Sequence, residues 1–109
     1  MVGGQVMIIH CVFCNMRGDV SAAARVGIFE ELKAFSEGLE GMLGFEHGPN
    51  RDFERKSQDY SDGFVMRFAD AAALQAYAVH PTHQALGARL CEMCKDGGDG
   101  ITVFDIEAG

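Results

Sequence analysis

The groups best able to move protons are gathered in one short run, Tyr77-Ala78-Val79-His80-Pro81-Thr82-His83. It holds one of the two tyrosines and two of the four histidines. An imidazole titrates near neutral pH, so His83 can take a proton from a carbon beside a carbonyl and later return it. A phenol nearby, that of Tyr77, can hold the oxyanion that forms. On a straight helix six residues turn through about 600°, which would leave Tyr77 and His83 poorly aligned. Pro81 removes a backbone donor and breaks the helix, and that break can turn both toward one space. His80, just before Pro81, is read as a structural group that fixes the break. The competing reading of His83 is a core histidine satisfied by a backbone carbonyl.

His10 is the third candidate. Period-two alternation puts it on one face of a strand with Val12 and Cys14. If that face meets the helices, His10 points into the same space as His83. His47 shares a face with Leu43 and Phe45 by the same rule and reads as a partly exposed strand-end histidine. Phe29, Leu32, Phe64, Met66 and Leu74, with Val12, are the apolar positions that would wall a small-molecule pocket, or simply fill the core.

Two CxxC pairs, Cys11/Cys14 and Cys91/Cys94, raise the question of zinc, since paired CxxC motifs commonly supply four thiolates. Their context argues otherwise. The first pair lies within a strand, where residues three apart face opposite ways. The second lies in a packed helix, and the distance between pairs far exceeds the roughly 15–20 residues of a zinc ribbon. Core thiols are expected, with no metal and no cofactor.

These side chains need elements to hold them. Residues 6–14 are rich in β-branched and aromatic types and read as a strand. Ser21 reads as an N-cap, followed by Ile28, Phe29, Leu32, Phe35 and Leu39 at helical spacing, a helix of roughly 16–18 residues. Gly38 and Gly41 end it. Residues 42–47 form a second strand closed by the turn signal Gly48-Pro49-Asn50. After a charged loop, residues 60–68 form a third, with Asp62, Phe64, Met66 and Phe68 on one face. Asp70 caps a second helix, which restarts beyond Pro81 with His83, Leu86, Gly87, Leu90 and Cys94 as one stripe. Residues 101–106 form the last strand.

The order is β-α-β-β-α-β, the ferredoxin-like α+β pattern, with an antiparallel sheet and the helices on one face. Strand one and parts of strands three and four are apolar on both faces, yet no element is left to cover the second face. Two chains packed sheet to sheet as a dimeric α/β barrel solve this, so a homodimer is expected.

The chain has 109 residues, 48% hydrophobic and 23% charged, which suits one globular domain. A net charge of -7 argues against nucleic acid or an anionic membrane as partner. No apolar run approaches the ~20 residues of a membrane span, and residues 1–5 lack the features of a signal peptide, so a cytoplasmic location with reduced thiols is expected.

His10, Gly48-Pro49-Asn50, Tyr60, Phe68-x-Asp70, Tyr77-x-x-His80-Pro81-x-His83 and Phe104-Asp105 together resemble the stress-responsive A/B-barrel (Dabb) family, over about residues 6–107. The resemblance implies a ferredoxin-like fold dimerised into a barrel. The family includes an olivetolic acid cyclase, which closes a linear polyketide by cofactor-free aldol condensation. The positions matching its pocket groups are Tyr77, His83 and His10. Leu32 stands where that enzyme has a pocket tyrosine, and Asp62 where it has a histidine.

Two functions follow as expectations. One is cofactor-free acid–base chemistry, of the lyase or cyclase kind, on an apolar carbonyl or polyketide-like compound. The other is a non-catalytic dimeric stress-response or interaction protein with a filled interior. A cofactor-free oxygenase is a third option. An open apolar cavity with Tyr77 and His83 converging on it would favour the first; a closed interior between helices and sheet would sink it.

Overall fold

The structure, a computed structural model, describes residues 6–109; residues 1–5, read above for targeting features, lie outside the described residues. Strand β1 (Met7–Cys14) leads to helix α1 (Ala22–Glu37), strands β2 (Met42–Pro49) and β3 (Asp62–Phe68), helices α2 (Ala71–Ala78) and α3 (Pro81–Met93), and strand β4 (Ile101–Ala108). A short 3-10 turn, Gly97–Gly100, precedes β4. The sheet runs β2-β3-β1-β4, antiparallel throughout. This is the ferredoxin-like α+β fold expected from the order of elements.

Local chemistry sets the helix boundaries. The Ser21 hydroxyl accepts from the Ala24 N–H at 3.1 Å and starts α1. Ile28, Phe29, Leu32 and Ser36 form the buried stripe of α1. Gly41 then adopts φ +82°, and a Cβ there would stand 2.6 Å from that of Ala73. The link between α1 and β2 therefore needs glycine twice over, for its backbone and for its clearance. The Asp70 carboxylate accepts from the Ala73 N–H at 2.8 Å and starts α2.

Ile8, Val12 and Cys14 of β1 meet Phe64, Met66 and Phe68 of β3, Phe45 of β2, and Ile28, Phe29, Leu32, Tyr77, Leu86 and Leu90 of the helices. One core thus lies between the sheet and all three helices. Each of these large side chains contributes on the order of 2 kcal/mol by leaving water.

Four strand readings change. Gly48 and Pro49 do not close β2 but belong to it, opposite Gly63 and Asp62. Proline lacks a donor, and β2 tolerates it because it is an edge strand. Leu43 does not share a face with Phe45 and His47. A bulge between Met42 and Gly44 turns it outward, leaving it 60% exposed while Met42 packs on the core. β3 begins at Asp62 rather than residue 60, and β4 runs on to Ala108.

The opposite face of the sheet carries Ile9, Cys11 and Phe13 of β1, Val65 and Arg67 of β3, and Thr102, Phe104 and Ile106 of β4, as the cross-strand register requires. No described helix packs there. Phe104 and Ile106 are 56% and 51% exposed.

Candidate active site

Helices α2 and α3 are separated by two residues with different tasks. Val79 ends α2 in helical geometry. His80 takes ψ 133°, the extended conformation favoured before proline, and its Nδ1 accepts from the Thr82 N–H at 3.1 Å. His80 is thus the N-cap of α3, with Pro81 in the first turn, where a missing donor costs nothing. The ring of Phe35 packs edge-on against it, centroids 4.7 Å apart.

This break reorients the chain so that Tyr77 and His83 come together, ring centroids 4.3 Å apart. His10 approaches Tyr77 from β1 with centroids at 6.1 Å. Phe68 and Phe35 pack on the Tyr77 ring at 5.4 and 6.1 Å. The three candidate proton carriers therefore converge around one phenol.

Their protonation follows from their contacts. His83 Nδ1 lies 3.0 Å from the Ala78 carbonyl oxygen. A carbonyl only accepts, so Nδ1 carries the hydrogen and Nε2 is the free nitrogen of the neutral ring. Burial lowers the His83 pKa, opposed by the Ala78 hydrogen bond and assisted by the charges of His10 and His80. Burial raises the Tyr77 pKa, so its hydroxyl stays protonated. That hydroxyl is buried with no hydrogen-bond partner, and Tyr77 is 1% exposed.

Asp105 completes the group. It stands directly opposite His10 in the β1–β4 register, and its carboxylate lies 2.6 Å from His10 Nδ1. Nδ1 donates to that carboxylate, which holds the ring in place. Nothing near Asp105 in the sequence marks this role, because the pairing of two strands far apart in the chain is not written locally. Val103 and Asp105, on the helix-facing side of β4, are 48% and about half exposed.

The remaining candidates are placed differently. Val12, Phe29, Leu32, Phe64 and Met66 are all at most 4% exposed, and Leu74 is partly buried against the same core. Asp62 is held by Arg25 Nη1 at 2.8 Å. His47 faces the Glu30 carboxylate at 2.6 Å, on the far side of α1. Hollows of about 330 to 530 Å³ lie elsewhere on the described surface, and neither Tyr77, His83 nor His10 lines any of these. One of about 510 Å³ sits on the helix-free side, among Phe13, Tyr60, Val65 and Phe104. Among the described residues, no group of three or more His, Cys, Asp or Glu is placed to hold a metal ion. No described helix is long and apolar enough to cross a membrane.

A ferredoxin-like sheet with a Tyr-x-x-His-Pro-x-His break over its core defines a class of protein, and comparison names it. The chain belongs to the stress-responsive A/B barrel domain (Dabb) family, which matches residues 8–108. A dimeric ferredoxin-like protein of unknown function from Jannaschia sp. CCS1 is 44% identical, with TM-score 0.87 over 94% of this chain and 99% of its own. A hydroxynitrile lyase from Passiflora edulis shares the fold at 12% identity, with TM-score 0.79 over 94% of each chain. So does SnoaB from Streptomyces nogalater, a cofactor-independent oxygenase, at 15% identity and TM-score 0.73 over 95% of this chain and 93% of its own. No curated protein matches the chain.

Proposed function

We propose that the chain is a homodimeric, cofactor-independent enzyme of the lyase or cyclase kind, in which Tyr77, His83 and His10 move protons on a small carbonyl compound. The observation that carries this reading is the buried, unpartnered Tyr77 hydroxyl beside two imidazoles. A buried hydroxyl without a partner costs on the order of 1–3 kcal/mol, and a ligand oxygen accepting from it would recover that cost. His83, neutral through burial and anchored at Nδ1, is the base. The Tyr77 hydroxyl donates to the substrate oxygen as charge develops, and the Asp105-held His10 is a polar wall group. Val12, Phe29, Leu32, Phe64, Met66 and Leu74 form the apolar surround. Their packing closes the interior around Tyr77, and no hollow on the described surface reaches it, so a substrate enters only where these side chains part. The fold is also that of a hydroxynitrile lyase and a cofactor-independent oxygenase, so the scaffold accommodates such chemistry.

The dimer rests on the open sheet face, where Phe104 and Ile106 await cover, and on the dimeric relative at 44% identity. A cytoplasmic location is proposed with it. A second reading, a non-catalytic dimer, is favoured by the closeness of the packing around Tyr77. A thermal-shift screen with small aldehydes, ketones and β-keto thioesters separates the two. Ligand-dependent shifts in the wild type, lost in His83→Ala with the dimer intact, support the enzyme. No shift with any of them, or loss of the dimer in His83→Ala, supports the second reading.

A further inference from the structure

The four thiols are not used by the site above, and the fold redistributes them. Cys11 faces the helix-free side of β1, while Cys14, three residues on, faces the core and is fully buried. Just beyond α3, Cys94 forms an antiparallel bridge with Met16, which follows β1. Two backbone bonds fix that pairing, Arg17 N–H to the Met93 carbonyl and Lys95 N–H to the Asn15 carbonyl, both 2.9 Å. Cys14 stands two residues before Met16 on the same side, so it is the diagonal neighbour of Cys94. Each CxxC motif thus gives one thiol to a buried pair, and all four cysteines are free. Cys91, one helical turn before Cys94, is only partly buried.

We propose that Cys14 and Cys94 are a reversible oxidation site, closing into a disulfide that ties the end of β1 to the end of α3, with Cys91 as the thiol that meets the oxidant. The oxidant is a hydroperoxide. The Cys91 thiolate attacks the peroxide oxygen and breaks the O–O bond, giving a sulfenic acid and, from hydrogen peroxide, water. The Cys94 thiolate displaces the sulfenic oxygen, which leaves as a second water, and forms Cys91–Cys94. Cys14 then attacks the Cys94 sulfur and releases the Cys91 thiol. Two thiols and one peroxide become one disulfide and two waters, and a dithiol reverses the change.

The two buried thiols differ in acidity. Cys14 and the charge of Arg17 lower Cys94 against its burial, which suits its attack on the sulfenic acid, whereas Cys14 is raised by Cys94 and by burial and passes its proton to the departing Cys91 sulfur as it attacks. Diagonal partners stand slightly wider than a relaxed disulfide requires. Closing the bond therefore requires the Met16–Cys94 pairing to shift. Cys94 is extended there, and Asp96 and Gly97 both follow at φ 59°.

The test is stoichiometric hydrogen peroxide on the folded, full-length protein, with thiol counting and mass mapping of cross-linked peptides. Loss of two thiols, a Cys14–Cys94 cross-link removed by dithiothreitol, and a raised melting temperature are expected. Cys91→Ser should slow oxidation at least tenfold yet reach the same product. Cys94→Ser should give no Cys14 cross-link, and Cys11→Ser should behave as wild type. A final product of Cys91–Cys94, an intermolecular Cys11 disulfide, an unchanged rate in Cys91→Ser, or four surviving thiols would each overturn the proposal.

Discussion

Tyr77 and His83 lie six positions apart in the chain, yet their rings meet at 4.3 Å because the helix stops at Val79 and restarts at Pro81. The phenol so placed has no partner for its hydroxyl. Groups arranged for a ligand commonly cost stability in the free protein. Tyr77→Phe keeps the ring and removes the orphan, so it should leave the protein as stable or about 1 kcal/mol more stable, while ligand-induced shifts or turnover fall at least tenfold. Urea unfolding beside a binding assay checks both halves. A loss of more than about 1 kcal/mol would mean that the hydroxyl is already satisfied.

His83 gives the fold a pH dependence whose sign is fixed. Burial penalises its cationic form, so its folded pKa lies below the ordinary 6.5. The unfolded chain therefore binds more protons as pH drops beneath 6.5, and stability falls through that window toward the folded pKa. Above 6.5 the contribution is fully present. Melting temperatures between pH 8 and 5 should fall more steeply for the wild type than for His83→Gln. Parallel curves would show that the neutral imidazole is not what the fold requires.

The break itself was readable from the sequence because an extended residue before a proline is local chemistry, and His80 acts there as its position suggested. Helical and strand periods likewise located Ser21, Asp70 and the inward row Asp62, Phe64, Met66 and Phe68, since each depends on neighbours a few residues away. Features set by strand pairing were not legible. The bulge that turns Leu43 outward and the continuation of β2 through Gly48 and Pro49 depend on register with β3. The partnerships of Asp105 with His10 and of Cys94 with Met16 join distant parts of the chain.

Asp62 shows how such a distant partnership can decide a role. It is 5% exposed, and Arg25 reaches it from α1 while donating also to the carbonyls of Val20 and Arg17. One guanidinium thus ties the chain before α1 to the start of β3. Arg25→Ala would strand a buried carboxylate beside the core and should cost about 3 kcal/mol, read by urea unfolding. A loss under 1 kcal/mol would mean that water takes over the arginine's contacts.

The helix-capping role of His80 is separable from chemistry. His80→Ala removes the acceptor for the Thr82 N–H and should cost about 1 kcal/mol, as other N-cap losses do. His80→Asn restores an acceptor and should recover most of that loss. If Asn does not rescue, the packing of the imidazole on Phe35 is what matters at this position.

The two sides of β4 make opposite predictions for assembly. Phe104 and Ile106 project from the helix-free face beside Phe13, whereas Val103 projects toward the helices, though all three are about half exposed. In a two-fold dimer each substitution counts twice. Phe104→Asp removes two aromatic contacts and buries two carboxylates, so about 3–6 kcal/mol of association should be lost, at least a hundredfold in dissociation constant. Val103→Asp carries the same change of charge on the same strand and should leave the dimer intact. Sedimentation velocity distinguishes them directly. If Phe104→Asp still sediments as a dimer, the sheet faces are not what the two chains share.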